Sequence, residues 1–408
     1  MPLIRPFAAL RPAPGRAADV IAPPYDVLNA DEARRLAEGK PWSFLHISKA
    51  EIDLPVGTDP HADAVYQKAH DNLKTMLEAG VILQDDCPAY YVYRLVMGDH
   101  EQTGLVASVS VNAYDSNRVR RHEFTRPDKE DDRVRQIEVL NAQTGPVLLV
   151  YPDTPEVDAL IAANCNAEPE ADAIAETGVR HSLWRIADAT IIAKLNTAFE
   201  AMPALYIADG HHRSAAASRV AASRRQLGQE SSADYFLAVI FPRQQMRIMD
   251  YNRLIRDLNG LSEAEFLKKI ETGFELETTH GQPVLTGAGE FGLYLGGVWH
   301  KLKIRPSLIP DDPVGRLDVS LLQDQLIAPV LGITDPRRDT RIDFVGGIRG
   351  LQELERRVDS GEMALAFSMY PTSMADLMAV ADAGEVMPPK STWFEPKLAD
   401  GMASHSLD

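Results

Sequence analysis

The sequence Ala204-Leu205-Tyr206-Ile207-Ala208-Asp209-Gly210-His211-His212-Arg213 carries the clearest structural pattern in the chain. Its first five residues are continuously apolar, which predicts a buried β-strand. Gly210 permits a tight turn, and the alanine-rich segment from Ser214 to Leu227 predicts a helix. Strand-like and helix-like segments alternate along the rest of the chain, without an internal repeat. We therefore predict a mixed α/β (α+β) fold.

A strand–glycine–helix turn of this kind is suited to binding an anion. The first turn of a helix has N–H groups without an intrahelical acceptor, and the positive end of the helix dipole lies there. His211, His212 and Arg213 would add side-chain donors, and the arginine fork matches the oxygens of a phosphate. The alternative is a polar helix start with a structural arginine. A metal site is a weaker interpretation, because adjacent histidines point in different directions and no third ligand is spaced to help.

The composition disfavours several classes of protein. A chain of 408 residues is long enough for two or three domains. Its formal net charge of -17 disfavours nucleic acid and anionic membranes as partners. The two cysteines form no CxxC pair, which argues against a disulfide framework and a zinc site. No run reaches the roughly 18 apolar residues of a membrane span, and the proline-broken N-terminus does not resemble a signal peptide. We expect a cytoplasmic protein, with a homodimer as a possible assembly.

A second candidate site is the charged run from Arg120 to Arg133. It follows a strand-like segment, so it lies where strand-end loops form sites. His122 and Glu123 are suited to general acid–base catalysis, or Glu123 to binding Mg²⁺. Arg126 and Lys129 would neutralise a polyphosphate. The aromatic residue and the proline inside the run suggest that the loop is anchored, and the alternative is a solvated charged surface.

Three further clusters are candidates for the same pocket. Asp26 follows a rigid Pro-Pro-Tyr turn and is either a metal or base carboxylate or a helix cap. Lys390-Ser391-Thr392 places a cation beside two hydroxyls, a combination that can hold a phosphate or a substrate carboxylate. The alternative for this proline-rich segment is a C-terminal strap. Asn252-Arg253 is either part of the pocket or an ordinary surface pair.

The pattern also predicts where the other elements and the domains lie. Asn29 to Glu32 and Ser262 to Glu265 read as capping boxes that open helices. Residues 152–180 are acidic and alanine-rich, which suggests an excursion on the surface. Further elements are predicted as strands at 89–96, 105–113, 146–151 and 235–241, and as helices at 65–79 and 319–331. The predicted domains are a core at 1–240, an accessory α/β domain at 241–350 and a C-terminal segment at 351–408 that returns to the active site.

These motifs, taken in order, resemble the domain-of-unknown-function 1015 family along essentially the whole chain. The strand–DGHHR–helix element is similar to the phosphate-binding element of the ParB/sulfiredoxin superfamily, which includes nucleotide hydrolases, sulfiredoxin and free serine kinases. The resemblance implies a ParB/sulfiredoxin-like core with large insertions and a C-terminal strap. It also implies a nucleotide phosphate at Gly210 to Arg213. The motif has histidine where sulfiredoxin has cysteine, and the net charge disfavours DNA binding, so kinase chemistry is the member function that fits best.

The resemblance thus implies a small-molecule kinase that transfers phosphate from ATP or ADP, with Mg²⁺, to a hydroxyl compound such as free L-serine. A non-catalytic nucleotide- or metabolite-binding regulator and a phosphohydrolase are the alternatives. The expected residues are Glu123, His122 and Asp209 for catalysis, Gly210, His211, His212, Arg213, Arg126 and Lys129 for the nucleotide, and Lys390, Ser391, Thr392, Asn252, Arg253 and Asp26 for the substrate.

Overall fold

The structure is a computed structural model that describes residues 1–226 and 232–407, and it is a mixed α/β protein, as predicted. The chain forms two compact units. The first contains the described residues of Met1–Met246 and Pro396–Asp408, and the second is Arg247–Glu395. This division differs from the three predicted ranges, because residues 351–395 pack in the second unit whereas the segment from 396 onward packs in the first.

Helices and strands alternate throughout both units. The helices are α1 Ala17–Val20, α2 Ala30–Ala37, α3 Leu45–Ser48, α4 Asp63–Glu78, α5 Val111–Asp115, α6 Pro127–Leu140, α7 Pro155–Ala163, α8 Ala189–Glu200, α9 His211–Gln226, α10 Glu263–Ile270, α11 Asp318–Leu322, α12 Ala328–Leu331, α13 Leu351–Asp359 and α14 Met374–Asp382. The strands are β1 Ile4–Arg5, β2 Ala9–Pro12, β3 Ile82–Gln84, β4 Tyr90–Met97, β5 His100–Ser110, β6 Val119–Arg120, β7 Ala142–Gln143, β8 Val147–Tyr151, β9 Ala171–Ile174, β10 Arg180–Ile186, β11 Leu205–Asp209, β12 Tyr235–Pro242, β13 Arg247–Met249, β14 Tyr251–Ile255, β15 Phe274–Thr278, β16 Glu290–Leu295, β17 Val298–Ile304, β18 Ile342–Gly346, β19 Leu365–Met369, β20 Trp393–Glu395 and β21 Ser404–Ser406.

A large mixed sheet organises the first unit. Its strand order is β6-β11-β8-β12-β5-β4-β10-β9, with β1 paired on β5. Strand β11 is antiparallel to β8 and parallel to the very short β6. A smaller sheet of order β3-β2-β21-β7 brings the C-terminal strand β21 between two strands from the first part of the chain. The C-terminal segment is thereby fixed to the unit that contains β11.

The core of the first unit lies against one face of the large sheet. Apolar residues of β4, β5, β8, β11 and β12 pack against helices α7 and α8, where Val157, Leu195 and Phe199 are fully buried. Burying a side chain of this size stabilises the fold by about 1.5–3 kcal/mol relative to exposing it. The prediction of a surface excursion at 152–180 was therefore wrong, because α7 covers the core and β9 extends the sheet.

Most local predictions are confirmed, although the bounds of β5 and the start of α9 differ from those predicted. The capping boxes at Asn29 and Ser262 are both present. Strand β5 ends at Ser110, three residues earlier than predicted, because the Ser110 side chain accepts the N–H of Ala113 and caps α5. Helix α9 begins at His211, directly after the turn, and the predicted end at Leu227 lies outside the described residues.

The second unit is built on a sheet of order β15-β17-β16-β19-β14-β18, together with the pair β13-β20. Its predicted helix at 319–331 is divided into α11 and α12 by a π-helical turn at Gln323–Ile327. Among the described residues, no helix combines the length and apolar character that crossing a membrane requires.

We expect Gly104→Ala to destabilise the first unit by about 1–3 kcal/mol, the usual range for overpacking a core. A Cβ at Gly104 would lie 2.8 Å from the carbonyl oxygen of Ile240 and 2.7 Å from the Phe241 ring, so the pairing of β5 with β12 would have to shift. Gly287→Ala is the control, since a Cβ there meets nothing within 4 Å. Urea midpoints followed by fluorescence test this, and equal midpoints for the two variants would contradict it.

Candidate functional site

The short strand β6 determines which residues meet at the predicted turn. Val119 and Arg120 of β6 pair in parallel with Leu205 and Tyr206 of β11. Parallel strands end at the same edge of a sheet, so the segments that follow β6 and β11 leave the sheet side by side. The loop after β6 therefore lies beside the start of α9.

The turn between β11 and α9 has the backbone that was predicted. Gly210 has φ +97, and a Cβ there would lie 3.1 Å from Nε of Arg213 and 3.3 Å from Cα of Val147, so glycine is required on two counts. Its carbonyl accepts the N–H groups of Arg213 and Ser214 at 2.9 and 3.1 Å. The N–H groups of the first two helical residues have no intrahelical acceptor. A helix that continues to Gln226 adds its dipole at this point.

His122, Glu123 and His211 come together at this helix start. The rings of His122 and His211 are perpendicular, with centroids 4.5 Å apart, and both are buried. The backbone N–H of His122 donates to Nε2 of His211 at 3.4 Å, and Nδ1 of His211 lies 3.6 Å from a carboxylate oxygen of Glu123. Glu123 itself is 54% exposed.

Burial sets the protonation of this histidine pair. It lowers the pKa of His122 to about 4. Burial also lowers the pKa of His211 well below its ordinary value, and the neighbouring His122 lowers it further. Both imidazoles are therefore neutral at pH 7.

The structure bears on one premise of the sequence-based argument against a metal site, which was that no third ligand is spaced to help His211. One nitrogen of His122, one of His211 and one oxygen of Glu123 all lie within 4.8 Å of one another. Spacing along the sequence could not show this, because His122 and Glu123 lie on a loop almost ninety positions earlier and the β6–β11 pairing brings them close. Metal binding itself stays a matter for experiment.

Arg213 is buried among carboxylates of its own unit. Its Nη2 lies 3.6 Å from Asp26 and 3.7 Å from Asp209, and Nη1 donates to the carbonyl oxygen of Pro146. Burial opposes the charge of Arg213, but Asp26 and Asp209 outweigh it and raise the pKa of the guanidinium. Arg213 therefore makes a structural contact, and its role in binding phosphate stays a prediction.

Asp209 is held as a carboxylate. Burial favours its protonated form, but Lys397 and Arg213 outweigh burial and lower the pKa of Asp209 below its ordinary value. Nζ of Lys397 lies 3.3 Å from the carboxylate. A group with so low a pKa accepts a proton poorly at pH 7, so Asp209 is less suited to general-base catalysis than was expected.

His212 connects the charged loop to α9. Its Nε2 accepts the backbone N–H of Arg126 at 3.1 Å. The side chain of Arg126 is 69% exposed and pairs with Asp128 at 2.8 Å, and Lys129 is exposed on the first turn of α6. Phe124 is 78% exposed, so the prediction that this ring anchors the loop was wrong. The contact between Arg126 and His212 anchors the loop instead.

The other predicted substrate residues lie in the second unit, where they take part in its internal structure. Asn252 is fully buried and accepts a backbone N–H of β19 at 2.9 Å. Arg253 is 5% exposed and donates to the carbonyl oxygen of Lys390 at 3.0 Å, so the surface alternative was wrong. Ser391 is buried, and Thr392 is half-buried in the same segment. A role for these residues in substrate binding stays a prediction.

Two residues of the site, Lys397 and Asp400, were assigned no role from the sequence. Asp400 is 2% exposed beside Arg213, and burial raises its pKa to about 7 despite the guanidinium. Asp400-Gly401 is a turn signature of the same type as Asp209-Gly210, which is the one local pattern that could have indicated it.

Arg213 also lines a cavity in the first unit. The polar lining of this cavity comes from widely separated parts of the chain. It includes Tyr25, Ser48, Arg133, Gln136, Gln143, Thr144, Arg213 and Asp400. The Arg133 guanidinium lies 3.9 Å from the centre of the Tyr25 ring, a cation–π contact.

The fold and the site define an α/β protein in which Gly210 precedes the first turn of α9, beside His122 and Glu123. The family model of the protein of unknown function DUF1015 matches residues 4–320. The chain belongs to this family. No curated protein matches the chain significantly in sequence.

Solved structures resemble the chain only distantly. A mutant free serine kinase in complex with AMP is 13% identical, with 75% of this chain and 92% of that one covered and a TM-score of 0.37. A conserved hypothetical protein from Pyrococcus furiosus is 14% identical over 74% and 94%, with a TM-score of 0.35. A C-terminally truncated SbnI from Staphylococcus aureus is 12% identical over 72% and 85%, with a TM-score of 0.37. Likeness at this level assigns no activity to the chain.

We expect Asp400→Asn to stabilise the protein at pH 8 but not at pH 5. The folded state holds the Asp400 proton up to a pKa of about 7, whereas the ordinary value is 3.8. A raised folded-state pKa means that the folded state binds more protons, so this group's contribution to stability falls as pH rises from about 4 to about 7. Asparagine removes that dependence.

Melting temperatures of the parent protein and of Asp400→Asn, measured at pH 5 and at pH 8, test this expectation. Exposed Asp99→Asn is the control and should change neither value. Equal effects of Asp400→Asn at both pH values would show that Asp400 is ionised in the folded protein throughout.

Proposed function

We propose that this protein is a nucleotide-dependent small-molecule kinase, which transfers phosphate from ATP or ADP to a hydroxyl compound, with free L-serine as the first candidate. One observation carries the proposal. The exposed carboxylate of Glu123 lies beside the first turn of α9, 3.6 Å from the His211 ring. An anion site and a group able to accept a proton are thus within one helical turn of each other.

The helix start provides the anion site. The N–H groups of His211 and His212 open a 16-residue helix, and phosphate groups bind at such positions through N–H donors and the helix dipole. Phosphoryl transfer requires positioning and charge neutralisation more than covalent chemistry. A rigid backbone turn, fixed by Gly210 and its two accepted N–H groups, is suited to that role.

Exposed cations supply further neutralisation in this proposal. Arg126 and Lys129 lie on the loop and first turn of α6, which the Arg126–His212 bond holds against α9. Their exposure leaves them able to reorient toward a bound polyphosphate. Arg213 acts indirectly, because it fixes Asp26 and Asp209 around the turn.

Glu123 is the general base of choice. It is half exposed, next to the helix start, and its carboxylate can accept a proton from a hydroxyl group placed there. Asp209 is less suitable, because Lys397 contacts its carboxylate and its pKa is lowered. His122 is buried and neutral, so it is less suited to this role, and its backbone N–H and ring contact His211.

The residues at the turn are compatible with a nucleotide that carries Mg²⁺. Mg²⁺ prefers oxygen ligands and is usually held by one or two carboxylates in addition to phosphates and water. Glu123 and Asp26 are partly exposed carboxylates near the turn that could contribute. The ion would offset the charge of the phosphates.

We expect Glu123→Gln to lower turnover by at least about 100-fold, the usual scale for loss of a general base, while nucleotide still binds. The assay is formation of phosphoserine and ADP or AMP from serine, Mg²⁺ and ATP or ADP. Exposed Glu138→Gln is the matched control and should keep full activity. Unchanged turnover of Glu123→Gln would remove Glu123 from the mechanism.

The same assay separates the two alternative functions. Phosphate release that serine or other alcohols do not increase would indicate a phosphohydrolase. Nucleotide binding without any product would indicate a regulator. Either result would contradict the kinase proposal.

We expect Arg126→Ala combined with Lys129→Ala to weaken ATP binding about 10-fold or more at low salt, because two cations near the phosphates are lost. Isothermal titration calorimetry at two salt concentrations measures this. Exposed Lys194→Ala on α8 is the control. Equal affinity of the double variant and the control would show that the charged loop does not contact the nucleotide.

A further inference from the structure

We infer that His122, His211 and Glu123 form a site for one divalent transition-metal ion, such as Zn²⁺ or Mn²⁺. The inference goes beyond the proposed function, because the ion would be bound by the protein and would not need a nucleotide. One nitrogen from each ring and one carboxylate oxygen lie within 4.8 Å of one another. Two imidazoles and one carboxylate are a ligand set that transition metals prefer and Mg²⁺ does not.

One pair of candidate ligand atoms is already close to the separation that a metal requires. Zn²⁺ binds imidazole nitrogen and carboxylate oxygen at about 2.0–2.2 Å, so neighbouring ligand atoms in a tetrahedral site are about 3.3 Å apart. Nδ1 of His211 and Oε2 of Glu123 are 3.6 Å apart, and all three ligand atoms lie within 4.8 Å of one another. The set would therefore contract around an ion, and Glu123 is the exposed member of it.

An unsatisfied nitrogen points independently to a ligand. His122 is 2% exposed, and its buried Nδ1 has no hydrogen-bond partner among the described residues. Leaving a buried polar atom unpaired costs about 1–3 kcal/mol, so such atoms usually have a partner. A bound metal ion would supply that partner.

The His122 ring also lies near the backbone carbonyl of Ile207, which acts to raise its pKa against the effect of burial. With its N–H on Nε2 directed to that carbonyl, the ring would present the lone pair of Nδ1, the atom that has no partner among the described residues, to an ion. Ligand histidines commonly donate their other N–H to a backbone carbonyl in this way.

The His211 ring can join such a site through Nδ1, the nitrogen that faces Glu123. Nε2 would then carry the proton, so it would give up the hydrogen bond that it accepts from the His122 N–H, which is 3.4 Å long and at the weak end of the range. Both rings are fixed, His122 by the loop after β6 and His211 by the first turn of α9. Fixed ligands lose little conformational entropy when an ion binds.

The site has a position for a further ligand. Three protein ligands leave the fourth position of a tetrahedral ion open, as in catalytic rather than structural zinc sites. That position lies beside the helix start, so the ligand would be water or an anion such as phosphate. If Glu123 binds the ion through one carboxylate oxygen, its second oxygen remains beside the first turn of α9.

Metal titration of tag-free protein without nucleotide tests the inference. The protein is stripped with a chelator and titrated with Co²⁺, followed by visible absorption, and with Zn²⁺, followed by calorimetry. A Cys87→Ser background removes the exposed thiol, which would otherwise be a competing ligand. We expect about one ion per chain, with binding lost in His122→Asn and His211→Asn and weakened at least 10-fold in Glu123→Gln.

The control is His181→Asn, which changes an equally buried histidine that bonds to Tyr93 elsewhere in the first unit. Circular dichroism verifies that each variant is folded. If the variants of the two buried histidines do not fold, Glu123→Gln still tests the inference, because Glu123 is exposed and its substitution should not affect folding. Unchanged binding in folded Glu123→Gln, or no stoichiometric binding by the parent protein, would overturn the inference. Neither result bears on turnover measured with Mg²⁺ and nucleotide, so the metal site and the kinase proposal can fail separately.

Discussion

The parallel pairing of Val119 and Arg120 with Leu205 and Tyr206 is the contact on which the candidate site depends. It involves only two residues on each strand. Because the strands are parallel, both leave the sheet at one edge, and His122 and Glu123 reach the first turn of α9. Without it, the helix start would keep its dipole and its N–H groups, but it would have neither the second imidazole nor the carboxylate.

A second constraint is the burial of positive charge next to the turn. Arg213 is 8% exposed, which is unfavourable for a guanidinium unless carboxylates surround it. Asp26 and Asp209 fulfil this requirement from two different parts of the sequence, and Asp400, whose pKa burial raises to about 7, lies beside them. Gly145 and Gly210 leave room for the long side chain, since a Cβ at either would approach it within 3.3 Å. The geometry of the turn therefore rests on ion pairs of Arg213 in addition to hydrophobic packing.

Local patterns predicted the elements of this fold well, and failed where tertiary contacts decide. Continuous apolar runs and capping boxes located β8, β11, β12 and the starts of α2 and α10. Strand β6 has two residues and no periodicity, so the sequence could not show that His122 meets His211. Asp400 lies beside Arg213, which is almost 190 positions earlier in the sequence. Asn252 is a polar residue, and its type alone did not indicate that it is fully buried. The prediction for Phe124 was wrong in the opposite direction, because its aromatic ring suggested burial whereas the side chain is exposed to solvent.

The first unit is interrupted in the chain by the second, since residues 247–395 separate its two parts. Strand β2 obtains its pairing with β21 from the final residues, and Lys397 and Asp400 also belong to that last stretch. On the ribosome, the first 246 residues emerge well before these partners exist. Until residues 396–408 are synthesised, β2 lacks its β21 partner and Asp209 lacks its contact with Lys397. The first unit can therefore complete its folding only after the whole second unit has been translated.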